Sequence, residues 1–147
     1  MTGSIGTLLV LGASGDLAGR LLLPAVGQLL SSDLGPAGLT LVGAGAEAFD
    51  ETTWRARVAA AFDTVHAFGP RAEEIVTTSK YLTADVTRAE DLRRLLDACD
   101  GAPAIYFALP PVVTPRPAQL CARYRCRPVR PWCWRSRSGW TRPARLI

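Results

Sequence analysis

The sequence predicts an α/β domain in which helices flank a parallel sheet. Three observations lead to this prediction: short continuous apolar runs, helical apolar periodicity between them, and a glycine-rich turn directly after the first run. Continuous apolar runs are typical of strands buried on both faces of a parallel sheet. Because the predicted strands alternate with helices, right-handed βαβ connections are expected.

Four apolar runs are the predicted strands, at residues 7–11, 39–43, 80–84 and 103–109. The last run stops at Pro110 and Pro111. A first helix follows the glycine turn, and Pro24 is expected to kink or restart it. Its apolar positions are Leu17, Leu21, Leu22, Val26, Leu29 and Leu30.

A second amphipathic helix is predicted to start between residues 50 and 53. Its apolar stripe consists of Trp54, Val58, Ala61, Phe62 and Val65. A further helix is predicted after Thr87, which together with Glu90 has the spacing of a capping box. The apolar positions of that helix are Leu92, Leu95, Leu96 and Cys99.

Composition divides the 147 residues into two unequal parts. Residues 1–114 carry 8 Lys and Arg against 13 Asp and Glu, whereas residues 115–147 carry 9 Arg and no acid. A chain of this length is expected to form one core. No apolar run approaches the roughly 20 residues that cross a bilayer, and the N-terminus lacks the pattern of a secretory signal. A soluble, cytoplasmic protein with no membrane partner is therefore expected.

The glycine-rich turn, residues 12–18 (GASGDLA), is the main candidate site. Free backbone N–H groups at a helix N-terminus, together with the helix dipole, suit a diphosphate. Gly12 permits the sharp turn, Gly15 lets the backbone approach the phosphates, and the Ser14 hydroxyl can donate to a phosphate oxygen. The alternative interpretation is a tight strand-to-helix connection that binds nothing.

The segment GASGDLA, followed by Arg20 and LLLPAV, resembles the opening motif of glucose-6-phosphate dehydrogenases. The segments LVGAGAE, YLTADV and IYFALPP agree with that family in order and spacing, so the resemblance covers residues 5–114. It implies a Rossmann-like NAD(P)-binding domain. In the family, a hydride passes from C1 of glucose 6-phosphate to the nicotinamide, a step of the pentose phosphate pathway.

The resemblance also implies a set of cofactor contacts along the sheet. The residues at the diphosphate would be Gly12, Ala13, Ser14, Gly15, Asp16 and Leu17. Asp85 and Val86 would lie near the adenine, and Leu109 and Pro110 near the nicotinamide.

Two departures from the family pattern bear on ligands. The family has lysines where this chain has Gly19 and Leu21, which leaves Arg20 as the candidate substrate contact. The family arginine for the adenosine 2′-phosphate falls near Ala46, with Glu47 beside it. The Glu47 carboxylate would accept hydrogen bonds from ribose hydroxyls and repel a 2′-phosphate, so NAD and NADP are both candidate cofactors. Glu47 as a solvated loop acid is the alternative.

No catalytic or metal-binding residue is assigned from the sequence. His66 is the sole histidine; it falls on the predicted second helix, in the wrong region to match the family's catalytic histidine. A zinc site is not predicted, because Cys121, Cys126 and Cys133 lack close paired spacing and a fourth ligand. A sugar phosphate is expected as a partner only of a full-length relative.

Residues 115–147 show no helical or strand periodicity. Arginines interleaved with tryptophans could bind nucleic acid, although this partner is not expected. One permitted set of codons for residues 131–140, read in another frame, encodes VVLEKPFGLD, which resembles the family's next strand and its EKPFG motif. The sequence therefore predicts that this tail is an out-of-frame translation, beginning between residues 114 and 117, without a fold of its own.

On this hypothesis residues 1–114 are the NAD(P)-binding domain of a truncated dehydrogenase that is inactive alone. Removing residues 115–147 would then leave stability unchanged or improved. Two rival hypotheses are an atypical short-chain reductase and a non-catalytic nucleotide-binding or nucleic-acid-binding module. The reductases usually place another glycine where Leu17 or Ala18 stands and use a Tyr-x-x-x-Lys pair, which is not found here.

Overall fold

The structure, a computed structural model, describes residues 6–33 and 35–123. Its centre is a parallel four-stranded sheet in the order β3-β2-β1-β4, so the predicted fold class is confirmed. Each predicted run overlaps one strand, and β2 extends two residues beyond its run, to Gly45. The strands are β1 (Thr7–Leu11), β2 (Thr40–Gly45), β3 (Lys80–Thr83) and β4 (Ala104–Phe107).

The direction of the strand order reverses at β1. The chain adds β2 and then β3 on one side of β1, and returns to the other side for β4. In the register of the sheet, Leu11 at the end of β1 pairs with both Ala44 and Phe107. Ligands of open parallel sheets bind beyond the carboxyl ends of the strands at such a reversal. The topology therefore directs attention to the segments that follow β1 and β4.

Helices connect and flank the strands. They are α1 (Leu23–Ser31), α2 (Glu51–Asp63), α3 (Pro70–Thr78), α4 (Ala89–Asp97) and α5 (Pro115–Arg123). The sequence analysis missed α3, a nine-residue helix with only Ala72 and Ile75 buried. Two buried positions are too few to form a distinct apolar stripe. Pro70, which directly follows Gly69, is nevertheless a residue typical of the first position of a helix.

Pro24 is accommodated by a change of helix type. A π-helical segment (Ala18–Leu22) precedes α1, and the Leu23 N–H donates to the Ala18 carbonyl five residues earlier. Pro24 has no N–H to donate and stands in the first turn of α1. The expected restart at Pro24 therefore takes the form of a π bulge, a feature frequently found at functional sites.

The core lies on both faces of the sheet because alternate strand residues point in opposite directions. On the face we call the α2 face, helices α1, α2 and α3 pack against Val10 and Leu41. On the opposite face, called the α4 face, α4 and α5 pack together and share a core with Leu9 and Val42. The sheet is therefore covered on both sides, as in a doubly wound fold.

Two local predictions are wrong. The helix α4 begins at Ala89 with Arg88 as N-cap, and Thr87 does not cap it. The Thr87 N–H and hydroxyl instead both donate to Asp85 Oδ1, at 3.0 and 2.6 Å. His66 lies in an exposed turn beyond the end of α2, with φ of 52°, rather than on the helix.

Regular structure extends past residue 114. The helix α5 packs on α4, Cys121 is buried, and Arg116 Nε donates to the Thr87 carbonyl at 2.9 Å. The expectation of irregular chain directly after Thr114 is therefore wrong for residues 115–123, because Pro117 and Cys121, four positions apart, form a buried stripe. The out-of-frame origin of the tail stays a prediction, and its remaining residues, with Cys126 and Cys133, lie outside the described part of the chain.

Within the described ranges, no helix combines the length and the apolar character needed to cross a bilayer.

Candidate functional site

The glycine turn lies where the ends of β1 and β4 meet. Gly12 has φ of 84°, a conformation that side chains with a Cβ rarely adopt. A Cβ at this position would lie 2.4 Å from the Ala108 carbonyl oxygen and 2.7 Å from Leu109 Cδ2. Glycine is therefore required at position 12 for two reasons: the positive φ angle, and the close approach of the segment after β4.

The hydrogen bonds of the turn decide which amides are available to a ligand. The Gly12 and Ala13 N–H groups both donate to the Ala44 carbonyl of β2, at 2.8 and 2.9 Å, and the Gly15 N–H donates to the Gly12 carbonyl at 3.0 Å. These three amides are thus occupied within the protein. Of the diphosphate contacts implied by the resemblance, Gly12, Ala13 and Gly15 can shape the turn but cannot offer free donors.

The helix after the turn begins with amides that have no intrahelical acceptor. The Gly19 N–H donates to the Gly15 carbonyl at 3.3 Å, which places Asp16 and Leu17 in the first turn, and both residues are exposed. The first N–H groups of a helix carry the positive end of the helix dipole. The Asp16 and Leu17 amides are therefore the donors best placed for an anion.

An arginine of α2 that the sequence analysis missed donates hydrogen bonds to the carbonyls of the turn. Arg57 on α2 donates from Nη2 to the Ser14 carbonyl at 3.1 Å and to the Gly15 carbonyl at 2.8 Å. Its Cζ lies 5.9 Å from the centroid of the Phe49 ring. The only sequence signal for it is a cation directly beside the buried stripe of α2, a position that surface arginines also occupy.

The end of β2 forms the second part of the site. A Cβ on Gly45 would lie 2.7 Å from Ser14 Oγ and 2.8 Å from the Tyr81 hydroxyl, so the Ser14 side chain lies against β2. The Tyr81 hydroxyl donates to the Glu47 carbonyl at 2.8 Å. Burial raises the pKa of Tyr81, an effect that a hydrogen bond from Ser14 partly offsets. Tyr81 therefore remains a protonated donor at neutral pH.

Glu47 is exposed just beyond β2, beside Ala46. Tyr81 fixes its main chain through the carbonyl, and the carboxylate is free of ion pairs among the described residues. In a doubly wound fold an acidic residue near this position binds the ribose of NAD, whereas an arginine accommodates the 2′-phosphate of NADP.

The other predicted contacts divide into near and distant ones. Leu109 lies against Gly12, and Pro110 follows it. Asp85 and Val86 follow the edge strand β3. The hydrogen bonds from Thr87 hold the pKa of Asp85 below its usual value, and Val86 is buried in the core of the α4 face. The structure thus brings the glycine turn together with Glu47 and Leu109, while Asp85 and Val86 lie further along the sheet edge.

Arg20, the candidate substrate contact, lies on the π-helical segment. Its Nε is 2.7 Å from Asp16 Oδ1, and both side chains are exposed. An exposed i,i+4 pair of this kind contributes little to stability, so Arg20 is free to exchange this partner for a ligand.

Comparison with known proteins agrees with this geometry. A family model described as glucose-6-phosphate dehydrogenase, NAD binding domain, matches residues 9–131, which is more than half of the chain. Comparison with curated proteins finds no significant match.

Two similar solved structures are glucose-6-phosphate dehydrogenases. The first, glucose-6-phosphate 1-dehydrogenase from Mycobacterium avium, superposes with a TM-score of 0.68 at 19% identity over 81% of this chain. The second is a glucose-6-phosphate dehydrogenase in complex with its substrate glucose 6-phosphate, with a TM-score of 0.64 at 17% identity over 82% of this chain. This chain covers 27% and 28% of their respective lengths.

At these identities the solved structures support the fold alone, whereas the family match extends over most of the described residues. The match includes the glycine turn, α2 and all of β4. The chain therefore belongs to the glucose-6-phosphate dehydrogenase family, and the part of that family that it matches is the NAD-binding domain.

Proposed function

We propose that this chain supplies the dinucleotide-binding part of an enzyme that oxidises glucose 6-phosphate, and that the 147 residues alone bind the cofactor without catalysing the reaction. The observation that carries the proposal is the helix N-terminus at the reversal point of the sheet, with the Asp16 and Leu17 amides not used by the turn. A similar structure described with glucose 6-phosphate supports the substrate class.

The described residues fit a dinucleotide laid across the carboxyl edge of the sheet. The diphosphate would accept hydrogen bonds from the Asp16 and Leu17 amides, where the helix dipole favours negative charge. The adenosine ribose would lie at the end of β2 beside Glu47, and the nicotinamide beyond β4 beside Leu109 and Pro110. The absence of a Cβ at Gly15 keeps the approach to the turn open.

When bound, the nicotinamide supplies the hydride acceptor. The role of this chain would be to fix the position of that ring, because rate acceleration depends on holding the reacting atoms close together and correctly oriented. The helix α2 runs from the carboxyl edge of the sheet back to the amino edge. His66, which follows α2, therefore lies away from the glycine turn, and we assign it no role as a base.

A charge substitution at Gly15 tests cofactor binding. A Cβ there would lie 3.2 Å from the Gly12 carbonyl oxygen and 3.8 Å from that of Ala108, so a short side chain fits with a small adjustment. An aspartate near a helix N-terminus does not destabilise the helix, but it would repel a diphosphate. Gly15→Asp is expected to weaken NAD and NADP binding at least tenfold, or by about 1.4 kcal/mol, measured by isothermal titration calorimetry.

Gly15→Asn is the matched control, since it has the same size without the charge. It should lose less affinity than Gly15→Asp. Equal binding by the aspartate variant and the original chain would contradict a diphosphate at this turn. Addition of glucose 6-phosphate to the cofactor complex should produce no absorbance of reduced nicotinamide.

Titration with single-stranded DNA separates the proposal from the nucleic-acid alternative. Salt-sensitive DNA binding that disappears when residues 124–147 are removed, together with no binding of NAD or NADP, would favour the alternative.

A further inference from the structure

We propose that Arg57 is a positioning residue for the cofactor, which holds the glycine turn by two carbonyls and so aims the Asp16 amide at the diphosphate. The inference rests on the proposed binding of a dinucleotide at this turn. It concerns a residue of α2 that is remote in sequence from the glycine motif.

The geometry of the peptide unit links Arg57 to the anion site. Arg57 Nη2 lies 2.8 Å from the Gly15 carbonyl oxygen. In a planar trans peptide the carbonyl and the following N–H point in opposite directions. A guanidinium on the Gly15 carbonyl therefore directs the Asp16 N–H away from α2, toward the side where the diphosphate would lie.

Charge strengthens this arrangement. Hydrogen bonds with one ionised partner are roughly twice as strong as neutral ones, and neighbouring hydrogen bonds polarise one another. A cation on the carbonyl side of the peptide makes its N–H a better donor to an anion on the other side. Arg57 would thus act on the diphosphate through the turn, without touching it.

The surroundings of Arg57 indicate that the two carbonyls determine its position. In the part of the chain that the structure describes, no ion pair includes Arg57. Its Nε is buried without a hydrogen-bond partner. By contrast Arg55, on the same helix, pairs with Glu51 at 3.1 Å. The Arg57 guanidinium is therefore held chiefly by the Ser14 and Gly15 carbonyls, because it has no carboxylate partner among the described residues and one of its donors stays unpaired.

Gly19 provides the space that the guanidinium fills. A Cβ on Gly19 would lie 2.8 Å from Arg57 Nη2 and 3.3 Å from Cζ. Gly19→Ala should therefore displace the guanidinium from the turn while its charge remains. Alanine also has a higher helix propensity than glycine, so this change is not expected to destabilise the helix by itself.

Arg57 is expected to serve the part of the ligand that NAD, NADP and ADP share. Its Nη2 is already bonded to the Ser14 and Gly15 carbonyls, and those carbonyls belong to the diphosphate turn rather than to the end of β2. A direct contact with the 2′-phosphate would instead affect NADP alone. The pattern of loss among the three nucleotides therefore distinguishes positioning from direct recognition.

The test measures dissociation constants of NAD, NADP and ADP for the full 147-residue chain by calorimetry. Arg57→Met should weaken all three about tenfold, and Arg57→Lys less, because an ammonium can still donate to both carbonyls. Gly19→Ala should weaken all three by about threefold without lowering the melting temperature, and should have no further effect in the Arg57→Met background. Arg55→Met is the matched control, expected to stay within about twofold of the original chain.

Three results would overturn the inference while leaving cofactor binding intact: unchanged affinities in Arg57→Met, a loss confined to NADP, or independent effects of Gly19→Ala and Arg57→Met. If Arg57→Met does not fold, Gly19→Ala and Arg57→Lys decide the question by the same criteria. If the original chain binds none of the three nucleotides, the proposed function fails, and the role of Arg57 with it.

Discussion

The two faces of the sheet differ in how closely they are connected to the candidate site. On the α2 face, Trp54 and Ala13 both pack against Gly43: a Cβ on Gly43 would lie 2.7 Å from Trp54 Cζ2 and 3.0 Å from Ala13 Cβ. On the same face, Arg57 donates hydrogen bonds to two carbonyls of the turn. The core of the α4 face, around Leu92 and Leu95, includes none of the residues of the turn, and it meets the predicted cofactor contacts only through Val86 and Leu109. We therefore expect stability and cofactor binding to be coupled on the α2 face and largely separable on the α4 face.

The largest effect is expected from Trp54→Ala. Trp54 is fully buried and is the largest side chain of the core. Its removal should lower the free energy of unfolding by about 3–5 kcal/mol, measured by urea denaturation. Cofactor affinity should fall as well, because Trp54 packs beside Ala13 and Gly43. Trp54→Phe should retain more of both quantities, and unchanged affinity in a folded Trp54→Ala variant would break the proposed coupling.

A somewhat smaller loss is expected from Leu92→Ala on the α4 face. Leu92 is also fully buried, so truncation should cost about 3 kcal/mol in urea denaturation. In contrast to Trp54→Ala, the dissociation constant of NAD should not change at temperatures where the variant is folded. A weaker affinity there would show that the two faces are not separable.

Truncation tests the contribution of α5 to the α4 face. Cutting after Thr114 removes the buried Pro117 and Cys121 and should lower the free energy of unfolding by about 2 kcal/mol. This reverses the expectation drawn from composition, which ended the domain at residue 114. A chain cut after Arg123 is the control and should match the full chain. Equal stability of the two truncated chains would mean that α5 adds nothing.

The smallest effect is expected from pH. Asp50 caps α2 by accepting the Thr53 N–H at 2.6 Å, and this bond holds the pKa of Asp50 below its usual value. A lowered pKa in the folded state means that the stabilisation is complete above the usual pKa of about 4 and is lost as the pH falls through the folded value. Melting temperatures of Asp50→Asn should therefore depend less on acid pH than those of the original chain. An identical acid dependence would exclude Asp50 as a contributor.

The out-of-frame origin of residues 115–147 is a prediction of a different kind. The DNA sequence through codon 114 and beyond decides it directly. If the codons for residues 131–140 do not encode VVLEKPFGLD in the alternative frame, the hypothesis is wrong.

Local patterns were sufficient for most of the fold. The four predicted runs each overlap a strand, and the stripe from Trp54 to Val65 predicts α2, although Val65 itself lies in the turn after the helix. The short helices α3 and α5 were missed because each buries only two side chains. Thr87 was misread as a cap because Asp85, two residues away, competes for the same hydrogen-bonding groups.

The fold class, the family and the place of the glycine turn follow from local sequence patterns, since burial and turn geometry are reflected in adjacent residues. Which amides of the turn remain available depends on the packing of the strands, because the carbonyl that accepts from two of them, that of Ala44, belongs to β2. Tertiary packing also brings Arg57 to the Gly15 carbonyl, 42 residues away. Hydrogen-bond partners over such separations depend on how strands and helices pack, and no local pattern encodes them.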